Sequence, residues 1–329
     1  MRRLNILIWH IHGSYLNALA RNEHNWYLPV KPGRPEGYGG RGPTFDLPDY
    51  VREVAAEDVR RLDLDLIIYQ TPKNYFEDGP EILSERQRAL PGIYLEHNTP
   101  KPDAVQMRHP VAARDIRDIL LAHVTHYNRL MWDSGHTPTV VIEHSVAIDP
   151  TAHYEGQFAR GVTVVNGMRR RPRIAGYDLF EQARAAVPLD AMGMESEEFG
   201  GLGDVPYRGL HRRMAAYRFL FSPIRYTSLP LAVIEAMTIG MPVVALATTE
   251  LPTVIQHGKT GYLSCDLSEL IGHMRVLLAD PDLARALGER ARQIARQRFG
   301  LARFIRDWNA AFTLALTGAR QPGHSLASH

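Results

Sequence analysis

Apolar residues fall along this chain in short, nearly unbroken runs, separated by stretches of helical period. Leu4 to Trp9, Leu64 to Tyr69, Gly92 to Leu95, Ile119 to Val124 and Thr139 to Glu143 read as strands in the first half. Val162 to Asn166, Leu189 to Met192, Phe219 to Ser222 and Val243 to Leu246 do so in the second. Such runs suit parallel strands buried on both faces. Helical spacing fills many of the gaps, at Tyr50 to Arg61, Tyr127 to Asp133, Asp178 to Ala186 and Leu229 to Ile239. The alternation predicts an α/β fold with parallel sheets and right-handed crossovers.

Two segments interrupt the pattern. Residues 29–48 are dense in Gly and Pro and predict a long loop, which in a compact domain usually has a task of its own. Residues 149–161 carry turn formers and little period, and the boundary between two domains, 1–150 and 151–300, is expected there. Helices close the chain. Asp280-Pro281 is a start signal, Phe299-Gly300 a break, and Phe304, Trp308, Phe312 and Leu316 make a stripe at four-residue spacing. So bulky a stripe needs a large surface to cover, and the first domain, reached by crossing back with residues 301–316, is one option. Residues 317–329 read as a flexible tail.

Composition narrows the class. A chain of 329 residues with 45% hydrophobic content can build two cores, and a net charge of +2 does not favour nucleic acid as the main partner. The single cysteine, Cys265, excludes an internal disulfide and fits a reducing compartment. The run Leu4 to Trp9 is short for a signal peptide, and no stretch approaches the roughly 20 apolar residues of a membrane span. The expectation is a cytoplasmic protein, with peripheral membrane contact left open.

Candidate chemistry clusters after the strands. Glu235 lies among Leu231, Ala232, Val233, Ile234, Ala236 and Met237, where an unpaired carboxylate costs several kcal/mol. A ligand hydroxyl, an internal hydrogen bond or an ion pair would each satisfy it. Ser228 is a candidate cap for this helix, with Pro230 in its first turn and Gly240 at its end. Arg225, Thr227, Ser228 and Leu229 lead into it, where backbone amides and the helix dipole suit phosphate. Arg169-Arg170-Arg171-Pro172-Arg173 also follows a strand and suits a diphosphate, although a solvated basic loop has the same look. In the first half His10-Ile11-His12-Gly13-Ser14 follows the first strand, where α/β sheets bind ligands. A metal hydrolase using His10 and His12 is one reading of that turn. His97, in Glu96-His97-Asn98-Thr99-Pro100, can position a hydroxyl or move a proton. The strand-end histidines His123, His126 and His144 read mostly as structural.

Taken in order, Pro230 to Met237, Gly240-Met241-Pro242-Val243-Val244 and Leu251 to Leu263 resemble the donor half of a GT-B glycosyltransferase of the retaining GT4 type, over about seventy residues to Phe299. Val140 to Ala147 resembles its linker strand more loosely, and Val164 to Gly176 its phosphate loop. The resemblance implies two Rossmann-like domains facing a cleft and a sugar transferred from a nucleotide-sugar co-substrate, as in hexosyltransferases (EC 2.4). It implies no metal cofactor, and an acceptor that is a glycan, a lipid-linked molecule or a small molecule. It gives Glu235 the ribose hydroxyls, Arg170 and Arg173 the diphosphate, and His97 a place near the reaction centre as the catalytic candidate. Arg225, Thr227, Ser228 and Leu229 complete the donor side, and His12, Gly13 and Ser14 face the cleft on the acceptor side. Thr227 stands where the family carries a second glutamate, and Ala175 where it carries a lysine. These departures keep a non-catalytic nucleotide-binding relative open as the alternative.

Overall fold

The computed structural model of the chain describes residues 2–318, so the tail expected over 317–329 lies almost entirely outside the described residues. The first sheet contains β1 (Asn5–Ile8), β2 (Asn25–Val30), β3 (Val51–Ala55), β4 (Leu66–Tyr69), β5 (Gly92–Glu96), β6 (Ile119–His123) and β7 (Thr139–Val141). Its spatial order is β3-β2-β1-β4-β5-β6-β7. The second contains β8 (Phe158–Val164), β9 (Leu189–Met192), β10 (Tyr217–Ser222), β11 (Val243–Leu246) and β12 (Gly261–Ser264), in the order β12-β11-β10-β8-β9. All the pairings within these sheets are parallel. Every residue of β4, β5, β6, β10 and β11 is buried, as strands covered by helices on both faces require. Strand order reverses between β1 and β4 and between β8 and β10, the crevices where such sheets take ligands.

Four local expectations change. The helix expected over Tyr50 to Arg61 is strand β3 followed by a 3-10 turn, Ala56–Arg61. Val51 and Val54 imitate helical spacing, but Glu53 on this strand pairs with Arg34 at 2.9 Å and accepts from the Arg41 amide at 2.8 Å. Those bonds stitch the strand to the preceding loop. Part of the expected loop 29–48 is strand, since β2 runs to Val30 with Trp26 and Leu28 fully buried. β8 begins at Phe158 and leaves Val165 and Asn166 in the loop beyond it, and β12 is a short strand that the apolar pattern did not mark.

The helix Pro281–Arg298 packs on the helix Leu231–Ile239 of the second half. Asp280 caps it by accepting from the Leu283 amide. The chain then breaks at Phe299-Gly300, and the last helix, Leu301–Thr317, returns to the first half. Phe304, Trp308 and Phe312 are fully buried in the same core as Ile6, Ile8, Trp26 and Leu28. Trp308 donates to the Tyr15 hydroxyl at 3.2 Å, and Asn22 to Asn309 at 3.0 Å. Beside the break, the Ser145 hydroxyl donates to the Phe299 carbonyl at 2.8 Å. Two parallel-sheet domains with a last helix crossing back make the GT-B architecture. Among the described residues no helix is long and apolar enough to cross a membrane.

Candidate active-site cleft

A cavity of about 550 Å³ lies between the halves. Ser14 and Pro43 to Phe45 line it from the first half. Val164 to Asn166, Gly193, Asp204 to Arg208, Leu231, Ala232 and Glu235 line it from the second. It therefore sits outside the carboxyl end of β8, at the switch point of the second sheet. The loop after β2 forms its near wall. The Phe45 ring lies 4.7 Å from the Tyr207 ring and so close over Gly13 that a Cβ there would overlap it. Asp46 pairs with Arg208 across the cleft.

Glu235 is 4% exposed. Its helix has no side-chain cap: Pro230 holds the cap position, so Ser228 does not act there, and Gly240 ends the helix at φ 96°. The helix Tyr207–Ala215 faces the carboxylate. The Tyr207 hydroxyl donates to the Ala147 carbonyl at 3.1 Å and lies 3.4 Å from Oε1, and His211 Nε2 lies 3.6 Å from the same oxygen without a hydrogen bond. His211 Nδ1 accepts from the Asp149 amide at 3.2 Å, which puts the ring proton on Nε2, facing Glu235. Burial and the Glu235 charge hold the Tyr207 hydroxyl protonated by raising its pKa. Oε2 accepts no hydrogen bond from the described residues, while Glu235 lines the cavity. Tyr207 and His211 escaped the sequence reading. Their only signal is a spacing of four within a helix whose inner face continues to Met214 and Ala215.

In the first half His97 follows β5, one strand beyond the switch point between β1 and β4. Gln70, after β4, donates its amide to the Trp9 carbonyl at 2.6 Å. Its Oε1 therefore faces His97 Nε2, 3.0 Å away, so His97 carries its proton on Nε2 and a free lone pair on Nδ1. The His12 ring lies 4.0 Å from the His97 ring, and Tyr15 packs edge-on at 4.7 Å. Burial, then repulsion from His12 and His144, pushes the His97 pKa well below its ordinary value. Burial alone pushes His12 down to about 4. Both rings are neutral at pH 7. His10 turns the other way, with Nδ1 2.5 Å from the Gly40 carbonyl in the loop. Neither His10 nor His12 belongs to a metal-capable trio; among the described residues that arrangement occurs at His257, Glu269 and His273.

The basic run follows β8 as expected, with the Arg170 and Arg173 guanidinium groups in ion pairs. Arg170 pairs with Glu195 at 2.7 Å, Arg173 with Asp178 at 2.9 Å, and Arg225 with the same Asp178 at 2.6 Å. None of the three lines the cavity, and neither do Thr227, Ser228, Leu229, His12, Gly13 or His97. Glu195 and Asp178 hold these guanidinium groups. Arg171 instead donates to the carbonyl of Asn166, a residue of the cavity wall. Lys101 of the first half has its pKa lowered by burial and then by the charge of Arg171, and it forms no ion pair among the described residues. Beside it the Tyr226 hydroxyl donates to the Pro100 carbonyl at 3.0 Å, joining the halves. Thr249, after β11, holds φ 52°, a strained conformation for a β-branched residue.

Residues 173–280 match the family described as Glycosyl transferases group 1. N-acetyl-alpha-D-glucosaminyl L-malate synthase of Bacillus anthracis is 34% identical over 88 residues, 26% of this chain and 23% of that protein. Sulfoquinovosyl transferase SQD2 of Arabidopsis thaliana is 34% identical over 96 residues, 28% of this chain and 17% of that protein. These matches thus span less than a quarter of either relative. Likeness of fold extends over nearly the whole chain. Sucrose-phosphate synthase from Thermosynechococcus elongatus superposes with a TM-score of 0.70 at 16% identity, covering 96% of this chain and 100% of that one. Anabaena HepE in complex with UDP-glucose does so at 0.69 and 14%, covering 94% and 100%. The chain is a GT-B protein. Within that class it is related to the group 1 glycosyl transferases.

Proposed function

We propose that this protein transfers a sugar from a nucleotide-sugar donor to an acceptor, with retention at the anomeric carbon and without a catalytic metal. The observation that carries the reading is Glu235. Tyr207 and His211 approach one of its oxygens at 3.4 and 3.6 Å, too far to satisfy it fully, and the other accepts nothing from the described residues, which leaves the carboxylate open to a ligand in a cavity at the switch point of the second sheet. A buried carboxylate with one free oxygen suits the hydroxyls of a ribose. The relationship to group 1 glycosyl transferases, and the UDP-glucose bound to HepE, support the choice of ligand. In this reading residues 1–150 with the last helix take the acceptor, a glycan, lipid-linked or small molecule, and residues 151–300 take the donor. His97 Nδ1 accepts a hydrogen bond from the donor sugar, and His12, Gly13 and Ser14 face the acceptor. Arg208 lines the cavity but pairs with Asp46, so Arg171, which reaches the Asn166 carbonyl in the cavity wall, and Lys101 beside it are the cations offered to the diphosphate. Arg170, Arg173 and Arg225 join them only by leaving Glu195 and Asp178, while Thr227, Ser228 and Leu229 form the approach to the helix. Cationic charge would replace a metal in stabilising the leaving diphosphate. The cytoplasm, with or without contact at a membrane surface, is the proposed place of action.

Calorimetric titration with UDP, GDP and ADP tests the reading. One of them binds at one equivalent, and Glu235→Ala raises its dissociation constant about 100-fold or more, two charge-assisted hydrogen bonds being lost. Far-UV circular dichroism is unchanged in the variant. Equal affinity of the wild type and Glu235→Ala overturns it. A second reading, a nucleotide-binding relative without transfer activity, is favoured by Thr227 and by the ion pairs that hold Arg170 and Arg173 aside. Nucleotide binding without hydrolysis of any donor sugar in a panel selects that reading.

A further inference from the structure

We propose that the second half carries a binding site for a divalent transition ion of the zinc type, formed by His257, Glu269 and His273. One ring nitrogen from each histidine and one carboxylate oxygen lie within 4.8 Å of one another. Donors about 2.0–2.1 Å from one tetrahedral ion sit about 3.3 Å apart, so small side-chain rotations close the site. His273 Nε2 and Glu269 Oε1 are already at 3.7 Å.

The fold aims each donor. Glu269 and His273 are one turn apart on the helix Leu267–Ala279, on one face. His257 lies on the turn before β12, where the Gln256 amide donates to the Thr260 hydroxyl at 2.9 Å. His257 Nδ1 lies 2.8 Å from the Leu263 carbonyl and 3.2 Å from the Leu263 amide, contacts that occupy Nδ1 and leave Nε2 without a hydrogen bond among the described residues. The Ser264 hydroxyl donates to Glu269 Oε2 at 2.5 Å and leaves Oε1 free. The His273 ring stacks on Tyr262, 3.9 Å away and 7° from parallel, and its Nε2 is buried with no hydrogen-bond partner. Partners of this kind, which fix ring orientation and tautomer, surround metal-ligating side chains. Two imidazoles and one carboxylate favour zinc-class ions over magnesium or calcium, and a fourth position stays open to water. None of the three residues lines the cleft cavity, so the ion would pin the edge strand β12 to the following helix, and the inference does not depend on the donor reading.

Chelator-treated full-length protein titrated with zinc chloride at pH 7.5 provides the test. The wild type takes up one equivalent and its melting midpoint rises. His273→Ala and Glu269→Gln, both changes of surface or half-buried side chains, weaken uptake by more than about 100-fold, and Ser264→Ala by about 10-fold. Uptake falls at pH 5.5, because metal binding releases protons from its ligands. Absence of stoichiometric uptake by the wild type, uptake by His273→Ala as tight as wild type, or loss of uptake in Cys265→Ser alone overturns the proposal.

Discussion

His144 is 3% exposed and neither of its ring nitrogens has a hydrogen-bond partner. Tyr15 packs edge-on against it at 5.6 Å, and His12 and Arg303 add repulsion to the effect of burial. These surroundings push its pKa from 6.5 to about 3. The folded state therefore keeps the ring neutral while the unfolded chain takes up a proton below pH 6.5. The stability tied to neutral His144 is fully present above pH 6.5 and is lost as pH falls from there toward about 3. At pH 5 the loss is about 2 kcal/mol, from 1.5 pH units at about 1.4 kcal/mol each. That is a large part of an ordinary folding free energy. His144→Leu removes the titration and the two orphan nitrogens together at similar volume. Urea unfolding of wild type and variant at pH 7.5 and pH 5.0 gives the comparison, since other titrating groups are common to both. The variant gains about 2 kcal/mol on the wild type between the two pH values. A stability gap that is the same at both refutes the reasoning.

Three other outcomes follow from the packing. Trp308→Ala destabilises the protein by about 3–5 kcal/mol and releases the last helix to limited proteolysis, because Trp308 is fully buried against the first-half core. Arg298 lies 2.5 Å from Glu143 and 3.3 Å from Glu250, whose side chain is 2% exposed. Arg298→Ala costs about 2 kcal/mol in denaturant unfolding, less than a fully buried pair because Arg298 and Glu143 keep part of their surface in water. Phe45→Ala removes the ring that meets Tyr207 and weakens nucleotide binding about 2- to 10-fold by calorimetry, with unfolding little changed.

Strands such as β4, β5, β6 and β11 were legible because burial on both faces writes itself as an unbroken apolar run. β3 was not, because Arg52 and Glu53 are exposed and its partner strand ends in Pro29-Val30. The break at Phe299-Gly300 and the cap at Asp280 were readable since both act within a few residues. The anomaly at Glu235 was also readable, as a carboxylate among apolar neighbours. Its partners were not, because Tyr207 and His211 belong to another helix and gain meaning only when the two helices pack. The ion pairs of the arginine run were not legible either. A guanidinium goes to a carboxylate within reach, and the fold brings Glu195 to Arg170 and Asp178 to Arg225, although Asp178 is only five residues from Arg173.

The last helix starts in one half and finishes the other. Phe304, Trp308 and Phe312 belong to the core beneath β1 and β2, although more than 270 residues separate them from those strands. The two halves are therefore not interchangeable cassettes. A recombinant that swaps everything after residue 150 for the corresponding part of a relative also imports a foreign last helix, whose side chains were shaped against a different surface. Exchange that keeps both cores whole needs a second junction, near Gly300. The same logic applies to inheritance: substitutions at Trp26 or Tyr15 are constrained by partners at the far end of the gene, and a second half acquired by recombination arrives without them.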